Sequence, residues 1–148
     1  MRAVIQRVEK AAVTINHKER REISTGLVIL LGVGKNDRKE IIPKFAEKIV
    51  NLRIFSNPEE KFDYSLLDIK GEILIISQFT LYADCAGGRR PDFTAAARPE
   101  IAEEFYQMFI NEIKKYSLKV VTGEFASQML VEIFNDGPVT ITLDSDNL

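Results

Sequence analysis

Two short stretches hold most of the residue types that can do chemistry. Ser77-Gln78-Phe79-Thr80-Leu81-Tyr82-Ala83-Asp84 places hydroxyl and amide groups directly after the apolar run from Glu72 to Ser77. Asn135-Asp136-Gly137-Pro138-Val139-Thr140 sets a Gly-Pro step between two strand-like runs. Side chains alternate along a strand, so a continuing strand would put Gln78 and Thr80 on one face and Ser77 and Phe79 on the other. If the strand ends or bulges there, the backbone N–H groups of Phe79 and Thr80 come free. Free N–H groups directed at a carbonyl are the parts of an oxyanion hole, worth about 3–4 kcal/mol per donor. A polar strand end with satisfied hydroxyls accounts for the same residues without chemistry. Gly137-Pro138 also has two readings. It is a turn before the last strand, or a cis peptide bond, a form largely confined to X-Pro. A cis bond would present the two carbonyls as rigid backbone groups able to reject a substituent by shape.

Other chemistries are hard to build from this chain. The only histidine, His17, falls in a predicted turn, with no spacing that suggests a Ser-His-Asp or Cys-His system. Cys85 adjoins the hydroxyl motif, but only Arg89 and Arg90 are near in sequence to lower its pKa. One cysteine and one histidine do not make a standard zinc site, and no metal or cofactor is expected. Gly32-Val33-Gly34-Lys35 fails the phosphate-loop pattern, because Ile29 occupies the first glycine position and Asn36 the Ser/Thr position. It fails the dinucleotide fingerprint at Asp37, so these glycines are read as a strand end. Asp144 and Asp146 lack a histidine or carboxylate cluster and are read as solvated terminal charge.

The elements that must position these residues follow from hydrophobic period. Residues 2–8, 11–15 and 20–24 read as strands, with a turn at Asn16-His17-Lys18-Glu19, and Gly26 to Val33 as a buried strand. Ile42, Phe45, Ala46 and Ile49 predict a helix with Asp37 as N-cap and Pro43 in its first turn. Leu52 to Phe55 and Glu72 to Ser77 read as extended. Arg98 to Lys115 predicts a second helix, with Pro99 at its first position and Ile101, Phe105, Phe109 and Ile113 on a core-facing stripe. Three further strands are expected at 118–121, 129–134 and 139–143. The economical arrangement is α+β: an antiparallel, barrel-like sheet of about eight strands with two helices packed outside, in a single domain over residues 1–148.

Composition bounds the partners. The chain is 45% hydrophobic and 28% charged, with a net charge of −2. That balance argues against a general nucleic-acid binder and leaves room for a local patch on an RNA end. Gly87-Gly88-Arg89-Arg90-Pro91 is the local candidate; a solvated loop with incidental charge explains it equally well. No apolar run approaches the roughly 20 residues of a membrane helix, and charged residues interrupt any signal-peptide core. A cytoplasmic protein without disulfides is therefore expected.

In this order and spacing, the two motifs and the opening Met1-Arg2-Ala3-Val4-Ile5-Gln6-Arg7-Val8 resemble the D-aminoacyl-tRNA deacylase family over nearly the whole chain. The resemblance implies hydrolysis of the ester between a D-amino acid, or glycine, and the 3′ end of tRNA. It implies that Ser77, Gln78, Phe79 and Thr80 line an aminoacyl pocket, with Phe79 and Thr80 catalytic. It implies a homodimer in which Gly137 and Pro138, as a Gly-cis-Pro motif, reach the partner's pocket and exclude an L side chain. The absence of a positioned histidine suggests hydrolysis without a protein base, aided by the ribose hydroxyl beside the ester; Thr80 as nucleophile is the rival within the same activity. Two other classes stand open: a non-catalytic RNA-end binder using the arginine loop, and a small-molecule esterase or amidase. Arg7, Arg89, Arg90 and Arg98 are the candidates for holding the tRNA body.

Overall fold

The fold is described from a computed structural model covering residues 1–148. Eight strands and two α-helices follow in the order β1 (Arg2–Ile15), β2 (Glu19–Ile23), β3 (Gly26–Gly32), α1 (Ile42–Val50), β4 (Phe55–Ser56), β5 (Phe62–Tyr64), β6 (Glu72–Ser77), α2 (Pro99–Lys114), β7 (Lys119–Thr122) and β8 (Met129–Asp144). The main sheet runs β2-β1-β3-β6-β7, with β8 on the other side of β1; β4 and β5 form a separate hairpin. The sheet curls until β2 meets β7, where Arg21 Nη1 donates to the Thr122 carbonyl at 2.7 Å. This gives the nearly closed, barrel-like α+β architecture expected from the sequence.

The strand directions differ from that expectation in one respect. β1 is antiparallel to β2, β3 and β8, but β3–β6 and β6–β7 are parallel, so the sheet is mixed. The cause is the connections. α1 lies between β3 and β6, and α2 between β6 and β7. A helical crossover returns the chain to the end it left, whereas a short hairpin reverses it.

Alternation along β3 and β6 fills two cores. Leu27, Ile29 and Leu31, with Ile73 and Ile75, face the helices; Val28, Leu74 and Ile76 face the other side, and all are buried. Burial on both faces explains why these strands read as continuous apolar runs. α1 buries Ile42, Phe45, Ala46 and Ile49 as predicted. α2 buries Phe105, Phe109 and Ile113, while Ile101, at the helix start, is exposed. Phe45 and Phe109 join the helices with ring centroids 6.2 Å apart. Truncating a fully buried phenylalanine such as Phe109 would cost about 3–5 kcal/mol. Tyr106 reaches from α2 to donate to the Ile75 carbonyl at 2.7 Å, fixing β6 two residues before its end. Burial raises the Tyr106 phenol's pKa above its ordinary value, so it remains a donor.

Two strands are longer than the sequence pattern suggests. Residues 2–8 and 11–15 belong to one strand, β1, which bulges between Gln6 and Lys10. The bulge brings Ala11, Val13 and Ile15 onto the same core face as Val8. The last two predicted strands likewise belong to β8. Asp37 does not cap α1. A short 3-10 turn at Lys39–Ile41 precedes the helix, and Asp37 instead accepts from the Gly34 amide and pairs with the Met1 α-ammonium.

Candidate functional site

β6 stops at Ser77. Gln78, at φ −143° and ψ 78°, leaves the strand, and a 3-10 turn, Phe79–Tyr82, begins at once. Alternation therefore ends at Ser77, and the strand-end possibility is the one realised. The Leu81 amide closes on the Gln78 carbonyl, but amides opening a helical turn have no partner within it. Gln78 supplies no side-chain cap, and no side chain accepts from the Phe79 or Thr80 amide. The Gln78 Nε2 group instead donates to Thr80 Oγ1. The turn can pack against β3 because of Gly32 and Gly34. A β-carbon at Gly34 would lie 2.7 Å from the Tyr82 ring, and one at Gly32 would lie 3.0 Å from the Gln78 carbonyl oxygen. These glycines thus do more than end a strand: they make room for the turn.

Ser77, Gln78 and Phe79 open onto a cavity of about 680 Å³, floored by Ile76 and Leu31 and walled by Phe93 and Met129. Most of its lining is hydrophobic, with Ser77, Gln78 and Ser127 as the polar exceptions. Phe79 is 54% exposed at the rim and meets Phe93 edge-on, centroids 5.0 Å apart. Thr80 is exposed just beyond the lining. Phe93, Phe125 and Met129 were not predicted as pocket residues; they come from segments far apart in sequence, and only the topology joins them.

The second motif is not a turn between strands. Gln6 pairs with Thr140 and Val8 with Asn135, so β8 advances five residues while β1 advances two. The surplus is a protrusion of Asp136 to Val139 opposite Arg7. The Gly137-Pro138 bond in it is cis, and Gly137 has φ +116°. Arg7 underlies the protrusion. It is 7% exposed, donates to the Ile54 carbonyl at 2.7 Å, and meets Asp136 Oδ2 at 2.9 Å. A β-carbon at Gly137 would fall 3.0 Å from Arg7 Nη2 and 2.8 Å from Val139 Cγ2. Beside it, Thr140 and Asn135 side chains donate to Gln6, and Asn135 Oδ1 is buried without a partner. Arg7 is thereby removed from the residues available to hold RNA. Its buried role was hidden because Asp136 is 129 positions away.

One chain does not bring the motifs together. Asp136 and Arg7 line a separate cavity with Gly71 and Glu72 at the start of β6, whereas Ser77 ends that strand. Five steps of strand separate those ends by about 16 Å. Of the remaining candidates, His17 lies in the exposed turn at φ 57°, and Cys85 is free and exposed. Asp144 is more than solvated charge. It pairs with Arg2 at 3.0 Å and accepts from the Asp146 amide. Partial burial opposes its ionisation, but those two partners hold its carboxyl below the usual range. No helix is long and apolar enough to cross a membrane.

A mixed, nearly closed sheet with two helices packed on it and an apolar cavity at the end of β6 defines an α+β fold with one candidate site beside the Phe79–Tyr82 turn. The family model for D-Tyr-tRNA(Tyr) deacylase matches residues 4–144, and the chain belongs to that family. The D-aminoacyl-tRNA deacylase of Thermosipho africanus is 57% identical over 145 residues, covering 98% of this chain and 97% of the relative. That of Clostridioides difficile is 50% identical over the same shares. Among solved structures, one named c-Myc DNA Unwinding Element Binding Protein superposes with a TM-score of 0.88 at 40% identity, covering 97% of this chain and 98% of that one. A structure described as a "probable eukaryotic D-amino acid tRNA deacylase" shares the fold, with a TM-score of 0.82 at 15% identity over 96% and 97% of the two chains.

Proposed function

We propose that this chain hydrolyses the ester linking a D-amino acid, or glycine, to the 3′ end of tRNA, releasing free amino acid and tRNA. The observation that carries this reading is the end of β6, where a turn whose Phe79 and Thr80 amides lack helical partners starts beside an apolar cavity lined by Gln78 and Phe79. Family membership supplies the substrate class. In this reading the aminoacyl group enters the cavity, with Ser77 and Gln78 holding its polar atoms. Water attacks the ester carbonyl, and the tetrahedral oxyanion is held by the Phe79 and Thr80 amides. Two such donors would supply about 5–8 kcal/mol if each matches known oxyanion holes. The leaving 3′ oxygen takes a proton from solvent, and the neighbouring 2′ hydroxyl positions the water. No protein base or metal is required, in keeping with a chain that holds one histidine, exposed in a turn. Thr80 as nucleophile is less favoured, because its hydroxyl receives its hydrogen bond from Gln78 Nε2 and no base adjoins it.

Chiral selection is assigned to Gly137 and Pro138 of a second copy. Within one chain they lie at the far end of β6 from Ser77, so a filter acting at the cavity needs a homodimer. The backbone carbonyls of the protrusion would meet an L side chain and leave a D side chain or glycine free.

The test compares deacylation of D-tyrosyl-tRNA, L-tyrosyl-tRNA and glycyl-tRNA with chelator present. Loss of the D-tyrosyl and glycyl esters with the L ester spared is expected. Cleavage of both tyrosyl esters would refute the filter, and a requirement for metal would refute the mechanism. Cleavage of none by folded protein would leave the RNA-end binder.

A further inference from the structure

The protein's arginines fall into two sets. Arg2, Arg7, Arg20, Arg21 and Arg53 each pair with a carboxylate. Arg38, Arg89, Arg90 and Arg98 form no ion pair and are exposed or nearly so. The second set is not scattered. All four belong to two loops, residues 34–38 and 84–98, which are stitched together beside the cavity. The Lys35 amide donates to the Ala95 carbonyl, the Ala97 amide donates to the Val33 carbonyl, and Gly34 bridges Ala96. Val33, Phe93, Ala96, Ala97 and Pro99 line the cavity, so Arg98 flanks its wall. Arg89 and Arg90 stand on a loop closed at its base by paired bonds between Asp84 and Asp92.

The carboxylates on these loops keep their charge but accept from local donors rather than from the arginines. Asp84 accepts from the Ala86 amide, and Asp92 from the Thr94 amide and hydroxyl. Thr94 holds the Asp92 carboxyl below the usual carboxylate range. Asp37 is turned inward to the Met1 α-ammonium and the Gly34 amide. Glu40, two residues past Arg38, and Glu100, in the first turn of α2, are exposed carboxylates without an ion-pair partner next to these loops. A chain of net charge −2 therefore carries, at this rim, guanidinium groups without ion-pair partners, while the Lys35 ammonium acts on the Asp92 carboxylate.

We propose that the joined loops 34–38 and 84–98 form the RNA-binding rim of the site, with Arg38, Arg89, Arg90 and Arg98 contacting the phosphodiesters just 5′ of the aminoacylated nucleotide. Guanidinium groups suit phosphate by their planar, two-pronged donor geometry. An ester seated in the cavity brings its nearest phosphates to this rim, where four arginines have no ion-pair partner. The choice of RNA rests on the deacylase reading.

The test uses the full chain and an Arg89→Gln/Arg90→Gln variant. Binding of an uncharged RNA hairpin ending in single-stranded CCA is measured by anisotropy across a salt series, and turnover of a D-tyrosyl ester of adenosine is measured in parallel. The variant is expected to bind the hairpin about tenfold more weakly, with the slope of log affinity against log salt reduced by about 1.4 for two lost contacts. Turnover of the adenosine ester, which has no 5′ phosphate, is expected to be unchanged. Lys114→Gln, at the other end of α2 and about 24 Å from Arg98, should alter neither. An unchanged salt slope overturns the proposal, as does an equal fall on the adenosine ester, which would place the arginines in the acyl site. If the wild-type chain cleaves neither D ester, the deacylase reading fails, and hairpin binding still decides the role of the arginines.

Discussion

The two motif regions are built on opposite principles. At the end of β6 the backbone is left incomplete: the strand stops, Gln78 turns away, and the Phe79 and Thr80 amides have no partner in their turn. At the protrusion of β8 the backbone is over-held. Arg7 clamps it from beneath through Asp136 and Ile54, and Gly137 leaves no room for a β-carbon. A group that must bind a transient charge has to be free before the charge arrives. A group that must exclude by shape has to resist displacement. The difference is that a buried arginine holds the β8 protrusion in place, whereas the turn after β6 leaves its first amides without a partner in the turn; the proposed roles, selection and reaction, call for that difference.

Four substitutions test that contrast, in descending order of effect. Phe79→Pro removes one N–H where the backbone permits proline, since Gln78 before it, at φ −143° and ψ 78°, lies outside the α region that a following proline disfavours. Against Phe79→Ala, which controls for the lost ring, it should lower kcat by a further 10²–10³-fold, or about 3–4 kcal/mol, at unchanged melting temperature. An equal kcat for the two variants would remove the Phe79 amide from the reaction. Arg7→Ala should cost about 2–3 kcal/mol in denaturant unfolding, by orphaning the Ile54 carbonyl and Asp136, and should raise cleavage of the L ester relative to the D ester. A stability loss with the D/L ratio intact would confine Arg7 to folding.

Gly137→Ala forces a side chain into φ +116° against Arg7 and Val139, a strain of about 1–3 kcal/mol. It should relax the D/L ratio with kcat on the D ester nearly preserved, whereas a fall in D-ester kcat with the ratio unmoved would break the division of labour. Thr80→Ala is expected to have the smallest effect: turnover within about threefold of wild type, since the amide remains. Total loss in folded protein would make the hydroxyl the nucleophile.

A scaffold control needs no activity. Burial disfavours the charged form of Glu72, but Lys119 and the Ser24 amide outweigh it and depress its pKa. A depressed carboxylate contributes stability above its unfolded value and loses it as pH falls through its folded value. Glu72→Gln should therefore melt at most about 3 °C lower at pH 7, a difference that shrinks as pH falls below the ordinary glutamate value of 4.5. A gap that persists in acid would assign the effect to packing.

Sequence pattern carried the elements whose signals are local. β6 occurs at the predicted residues, and α2 begins and ends within one residue of its prediction, because apolar period and Pro99 act over a few positions. Ser77, Gln78 and Phe79 do line the cavity, but their local pattern fitted a polar strand end equally well, and only the family resemblance pointed to a pocket. What failed depended on distant partners. Polar residues around Arg7 and Asp136 looked like strand breaks, yet they are bulges inside strands whose pairing continues on either side. Parallel pairing of β6 could not be read from its residues, since a doubly buried strand looks alike in either direction. Arg7 resembled a surface cation because the carboxylate that claims it lies at the other end of the sequence.

β1 has a further consequence for how the molecule is made. One of its edges is taken by β3 and β2 within the first third of the chain, but the other pairs with β8 from Arg2–Asp144 to Ile15–Met129. At 5–20 residues per second, a ribosome takes roughly 6–25 s to deliver residue 129 after β1 has begun to emerge. For that interval a fourteen-residue strand stands with one ladder open. Such an edge is a template for pairing with another nascent copy. The stretch of synthesis before β8 arrives is thus when this chain is most exposed to aggregation, and the exposed charges of Arg2, Glu9 and Lys10 along β1 are the residues placed to oppose it.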